Sequence, residues 1–256
     1  MSITYQENDV RRSLVAANWK MNGSLSANKA WVDRVLPGLP AGGVSTLLCA
    51  PYVYLPSLAE MIRGSTLMLG AQNVSAEVKG AFTGEISAAM LFDIGVRWCI
   101  IGHSERRTLY GETDAVVARK AERCAEAGIR PLLCVGESLH ERETGRTLEV
   151  VAEQLTAVID AVGVKALGAV AYEPVWAIGT GKIATPQQAQ DVHEVLRGIV
   201  AKYDAAVGET LPILYGGSVK PDNAASLFAG KDIDGGLLGG AGLKAEDFLA
   251  VVRAKC

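Results

Sequence analysis

Ala169-Val170-Ala171-Tyr172-Glu173-Pro174-Val175-Trp176-Ala177-Ile178-Gly179-Thr180-Gly181-Lys182 is an apolar run that stops at one carboxylate and continues through a proline and an apolar segment into Gly-Thr-Gly. Proline cannot donate to a sheet ladder, so a strand ends at Glu173, and the glycines leave the next stretch free to change φ and ψ. The pattern reads as strand, acid and flap. If Val175, Trp176 and Ile178 closed over Glu173, water would be excluded and the carboxylate could act as a base. A P-loop is excluded, because Trp176 stands where its first glycine belongs and Ile183 where Ser or Thr would hold magnesium. Taken alone, the segment fits a solvated strand-end glutamate equally well.

The same alternation extends in both directions. Apolar strands are expected at residues 13–17, 44–50, 67–70, 97–101, 130–135, 168–172, 211–215 and 235–238, with amphipathic helices over 26–36, 55–63, 86–94, 113–127, 147–161, from 185 onward, 222–228 and 245–254. Thr113 caps one helix and Gly128 stops it. Thr185-Pro186-Gln187-Gln188 is a capping box with proline first, and its helix presents Val192, Val195, Leu196 and Ile199 on one face. Eight such units without a linker specify an α/β protein, a (β/α)8 barrel in which residues 1–256 form a single domain and 1–12 a polar tail. The connection over 71–85 is longer than the about two to six residues usual for a βα loop, so it is either disordered or ordered by a partner subunit. The partner is the preferred reading.

Hydrophobic residues make up 49% of the 256, enough for a sizeable core. A net charge of −3 with both signs interspersed offers no face for nucleic acid or an anionic membrane. No run approaches the ~20 apolar residues of a membrane span. Cys49, Cys99, Cys124, Cys134 and Cys256 are odd in number and scattered, and read as reduced thiols, neither disulfides nor metal ligands. A cytoplasmic protein with a small soluble partner is expected.

A barrel brings all strand ends to one face, where Lys20, His103 and Glu173 would converge as a catalytic set. Gly216-Gly217-Ser218 and Gly239-Gly240, with Gly179 of the flap, would offer backbone N–H groups to a phosphate. Either glycine pair alone fits a tight left-handed turn as well. Glu137 ends the strand beside that of Glu173, and such a pair could hydrolyse glycosides; with 6% aromatic residues there are few platforms for sugars, and that reading is set aside. His140, in a charged loop, and His193, in a helix, read as solvated.

Asn18-Trp19-Lys20, residues 80–85 (GAFTGE), residues 101–107 (IGHSERR), Ala171 through Lys182, Tyr215-Gly216-Gly217-Ser218 and Gly239-Gly240 together resemble, in order and over almost the whole chain, the triosephosphate isomerases. The resemblance implies interconversion of dihydroxyacetone phosphate and D-glyceraldehyde 3-phosphate, in glycolysis and gluconeogenesis, with no metal or organic cofactor. In that family a glutamate acts as the base and a neutral histidine as the electrophile. By resemblance Glu173 is the base, His103 and Lys20 stabilise the enediolate, and Asn18 polarises the substrate oxygen. Gly179, Ser218, Gly239 and Gly240 take the phosphate, and Glu105 supports Lys20. Tyr215 and Ser218 hold the closed flap, Glu137 contacts Trp176 in the open one, and Thr83 docks beside Asn18 and Lys20 of a second subunit in a homodimer. A catalytically silent barrel serving as a binding protein is the alternative. Two residues depart from the pattern: Ala17, where the family often has Gly, and Gly242, where Ser is common. If that serine donates to the phosphate, its loss would weaken binding by about 0.5–1.5 kcal/mol, and Gly242→Ser is expected to lower the Michaelis constant.

Overall fold

The computed structural model describes residues 11–178 and 184–256. Its strands are β1 (Ser13–Asn18), β2 (Val44–Ala50), β3 (Leu67–Ala71), β4 (Trp98–Ile101), β5 (Arg130–Val135), β6 (Ala169–Tyr172), β7 (Ile213–Tyr215) and β8 (Gly235–Leu238). All pair in parallel in sequence order, and β8 closes on β1 from Leu14↔Gly235 to Ala17↔Leu238. This is the (β/α)8 barrel expected from the repeats.

Side chains alternate across each strand, and the two sets pack in different places. Leu14, Ala16, Leu47, Cys49, Trp98, Ile100, Leu132, Cys134, Ala169, Ala171, Leu214 and Leu237 form a cluster of strand residues only, which fills the barrel. Their neighbours, such as Val15, Ala17, Leu48, Val170 and Ile213, join helix residues in the outer core. At the closing seam Gly235 has φ +147°, and a Cβ there would stand 1.9 Å from the Leu14 carbonyl oxygen, so only glycine lets β8 reach β1. Gly136 acts likewise after β5, where a Cβ would lie 1.8 Å from the Glu173 carbonyl oxygen. Close approach of these two strand ends positions Glu173.

The helix signals hold. The Thr113 side chain accepts from Val116 N–H, and Gly128 takes φ +74° just beyond helix Asp114–Glu126. Thr185 and Gln188 form the capping box of helix Pro186–Tyr203, which buries Val192 and Leu196 and half-buries Val195 and Ile199. Differences arise where the elements are short. β7 starts at Ile213 because Leu211 N–H bonds back to Val207 and Pro212 has no N–H to give. Helices Ser104–Tyr110, Leu139–Glu143, Ala205–Thr210 and Gly240–Leu243 were not expected, since none spans enough turns to show an apolar stripe. The segment around His140, read as a loop, is helical because Ser138 and Glu141 cap it reciprocally; His140 itself is exposed.

His193 is not solvated. It faces inward from helix Pro186–Tyr203, fully buried between the rings of Tyr172 (6.0 Å) and Tyr215 (6.5 Å), with Nδ1 3.1 Å from the Asp232 carbonyl. Arg11, read as part of a polar tail, donates to the carbonyls of Glu209 and Lys231, both at 3.0 Å. The long connection after β3 is tied across its base by Ser75 N–H to Ile86 (2.9 Å). The five cysteines are free thiols, and burial pushes those of Cys49, Cys99 and Cys134 up, which keeps them unreactive. Among the described residues no helix is long and apolar enough to cross a membrane.

Candidate active site

The C-terminal ends of the strands enclose a cleft of about 690 Å³ lined by Asn18, Lys20, His103, Glu173, Ser218, Gly239 and Gly240, with Ile178 at its edge. Three side chains separated by up to some 150 residues thus meet as the strand order requires. Gly179 lies outside the described residues, as do Thr180, Gly181, Lys182 and Ile183.

Glu173 ends β6 almost without exposure. Its Oε2 accepts from the backbone N–H of Ser104 (2.9 Å), and its Oε1 lies 3.0 Å from His103 Nε2 and 3.3 Å from Ser104 Oγ. Burial pushes this carboxyl up, but His103, the Ser104 N–H and Lys20 outweigh it and hold Glu173 below the usual carboxylate range. His103 feels the converse: burial pushes the ring down, while Glu173 and Glu105 raise it further than burial lowers it.

His103 also caps helix Ser104–Tyr110, its Nδ1 accepting from the Glu105 N–H at 3.1 Å. A proton on Nδ1 would face that N–H, so the geometry accommodates the neutral ring with its hydrogen on Nε2, pointing into the cleft. Such a ring can polarise a carbonyl oxygen.

Lys20 has φ +52°, alone among the described non-glycine residues in the left-handed region, a conformation that costs about 1–3 kcal/mol. Asn18 Oδ1 accepts the Lys20 N–H at 3.0 Å, and Gln72 Nε2 donates to the Lys20 carbonyl at 2.9 Å. These bonds hold the backbone so that Nζ meets Glu105 Oε1 at 2.5 Å. Glu105 is thus the ion-pair partner of Lys20.

Glu137 does not line the cleft, which disposes of the glycosidase pair. It is fully buried and accepts from Trp176 Nε1 (2.8 Å) and Tyr172 OH (3.1 Å), with Arg142 at 3.4 Å and stacked 4.2 Å over the Trp176 ring. The Tyr215 hydroxyl is buried without a hydrogen-bond partner among the described residues, and burial raises its pKa to about 12. Thr83 sits exposed in the long loop, remote in sequence from the cleft residues.

Three positioning residues escaped the sequence reading. Ser104 holds Glu173, and Gln72 holds Lys20. Asn223 fixes the turn after β7, accepting from Lys220 N–H (2.8 Å) and donating to the Ser218 carbonyl (3.0 Å). All three act through or upon backbone atoms, which a sequence does not place.

A family profile described as triosephosphate isomerase matches residues 13–255. The chain is 56% identical over 247 residues to the triosephosphate isomerase of Cupriavidus taiwanensis, covering 96% of this chain and 100% of that one. It is 57% identical over 248 residues to the enzyme of that name from Ralstonia nicotianae, covering 95% and 99%, and 57% over 249 residues to that of Cupriavidus necator, covering 96% and 100%.

Proposed function

The chain belongs to the triosephosphate isomerase family and is an aldose–ketose isomerase; from that premise we propose that Glu173, His103 and Lys20 carry the interconversion of dihydroxyacetone phosphate and D-glyceraldehyde 3-phosphate without a metal or organic cofactor. The observation that supports these roles best is a buried Glu173, held below the usual carboxylate range, with Oε1 3.0 Å from His103 Nε2 in a cleft that also holds Lys20. A silent barrel would have no use for such an arrangement.

The substrate carbonyl takes the Nε2–H of His103 that Glu173 now occupies. Loss of that partner removes the main influence lowering the carboxyl, burial then dominates, and Glu173 becomes a stronger base as substrate arrives. It removes the proton from the carbon beside the carbonyl. The enediolate oxygen charge falls to Lys20 and His103, with Asn18 beside them; the hydroxyl proton passes from one oxygen to the other by way of His103 Nε2, and return of the carbon proton from Glu173 to the neighbouring carbon gives the isomer. The phosphate is held on the amides of Gly179, Ser218, Gly239 and Gly240. Closing the flap breaks the Trp176–Glu137 bond, with Tyr215 and Ser218 as the new partners, and shields the enediolate from water.

Proton NMR of dihydroxyacetone phosphate in heavy water tests this. Glyceraldehyde 3-phosphate with deuterium at the proton-bearing carbon is the expected product; an inert, folded protein would sink the reading.

The proposal extends to a homodimer acting in the cytoplasm, in glycolysis and gluconeogenesis, with residues 1–256 as one domain. Support for the dimer is the exposed apolar side chains in the segments that follow β1, β2 and β3: Met21, next to Lys20, is 96% exposed, and Val53, Val78 and Phe82 are exposed too. Thr83 adjoins Phe82 in the loop that would dock on the second subunit. Sedimentation should show a dimer for the native chain, and Thr83→Arg with Met21→Asp should yield monomers of much reduced turnover. Monomeric native protein at full activity would refute the interface.

A further inference from the structure

The turn after β8, residues 239–243, carries two of the proposed phosphate-binding amides and is gripped by β1 and the segment that follows it. The Gly242 carbonyl accepts two indole N–H groups, Trp19 Nε1 and Trp31 Nε1, each at 3.1 Å. Both rings are buried, meet edge to face at 5.2 Å, and Trp31 also packs at 5.2 Å on Phe248. If the carbonyl moved, two buried donors would lose their partner together. Gly242 N–H in turn donates to the Gly239 carbonyl at 2.9 Å, which links the grip to the cleft-lining glycine.

The strand contributes a steric stop. A Cβ on Gly242 would stand 2.9 Å from the Ala17 Cβ and 3.1 Å from its Cα, with Leu238 Cβ at 3.5 Å. Real Cβ atoms do not approach so closely, so side chains at 17 and 242 compete for one space. Ala17 is the residue before Asn18, and none of Ala17, Trp19, Trp31 and Gly242 lines the cleft.

We propose that Ala17, Trp19, Trp31 and Gly242 are positioning residues that set the separation between the phosphate-binding turn and the Asn18–Lys20 segment, with Ala17 and Gly242 an interdependent pair. The inference rests on reading the cleft as a triose phosphate site, in which one ligand must reach both ends at once. It reverses the sign expected for Gly242→Ser from the sequence: alone, that side chain displaces the turn before it can offer a hydroxyl.

The test is steady-state kinetics, inhibition by inorganic phosphate and urea unfolding for the native chain, Gly242→Ser, Ala17→Gly, the double variant and Trp31→Phe. Gly242→Ser should raise both the KM and the phosphate inhibition constant by ~3- to 10-fold with kcat per site changing less. Adding Ala17→Gly should return both constants to within about 2-fold of native. Trp31→Phe, which removes one donor from the Gly242 carbonyl, should raise the same two constants. Additive effects at 17 and 242, or losses confined to unfolding stability, would overturn the proposal. Should Gly242→Ser fail to fold, unchanged constants in Trp31→Phe would overturn it equally. A native chain that neither isomerises nor binds phosphate would refute the site reading instead.

Discussion

Glu173→Gln is expected to lower kcat by ~10²- to 10⁴-fold while the protein still binds a phosphorylated substrate analogue. The amide can keep the Ser104 N–H bond through its oxygen, so the fold around the end of β6 loses little. It cannot accept a proton. The cost falls on turnover because the proposed phosphate-binding groups at Ser218, Gly239 and Gly240 are backbone amides, which the substitution leaves in place. Stopped-flow turnover beside inhibitor titration separates the two quantities, and near-native kcat would remove Glu173 from the mechanism. A smaller variant sharpens the point: Glu173→Asp keeps the charge but draws it back from the cleft, and a displacement of ~1 Å is enough for about 10²-fold.

His193 should make the fold weaken in acid by about 3 kcal/mol between pH 6.5 and 4. Burial drives its pKa down to about 4, the Arg197 charge adds to this, and the Asp232 carbonyl resists only in part. With Nδ1–H donating to that carbonyl, Nε2 is buried without a hydrogen-bond partner among the described residues, so a second proton there would be a charge held in the outer core away from water. The unfolded chain binds that proton near pH ~6.5 and the folded chain only near 4, so the unfolded state gains protons first as the pH falls. The contribution is complete above pH 6.5 and is lost on the way down to 4. His193→Asn keeps a donor for Asp232 but does not titrate. Urea unfolding at fixed protein concentration should show its stability falling less steeply across this window than that of the native chain, and equal slopes would count against the assignment.

The barrel was legible because it is a repeated local pattern. Apolar runs of strand length alternate with amphipathic stretches bounded by Thr113, Gly128 and the Thr185–Gln188 box, and each of these does in the structure what its chemistry suggests. Short helices were not legible, because Ser104–Tyr110 and Leu139–Glu143 are held by a side-chain cap rather than by a stripe that faces a core. The misreading of His193 has the same origin. Position within a helix gives no depth, and only the packing of Tyr172 and Tyr215 around it shows the ring to be enclosed.

The candidate site divides along similar lines. Sequence alone determined which groups are present at the strand ends: Lys20, His103 and Glu173, each placed where an apolar run stops, and the glycines after β7 and β8. Chain connectivity fixes that much, since every parallel strand must deliver its C-terminal residue to the same face. What tertiary structure decided is the state and aim of those groups. The charge on Glu173 depends on an N–H from Ser104 and a ring from His103 that arrive from another strand, and the aim of Lys20 on Gln72 and Asn18. The turn after β8 is held by two indoles that donate to the Gly242 carbonyl and by the Ala17 methyl beside it, contacts that span more than two hundred residues of chain. Electrostatics and sterics act through space, over a few ångströms, and those distances exist only once the barrel has closed.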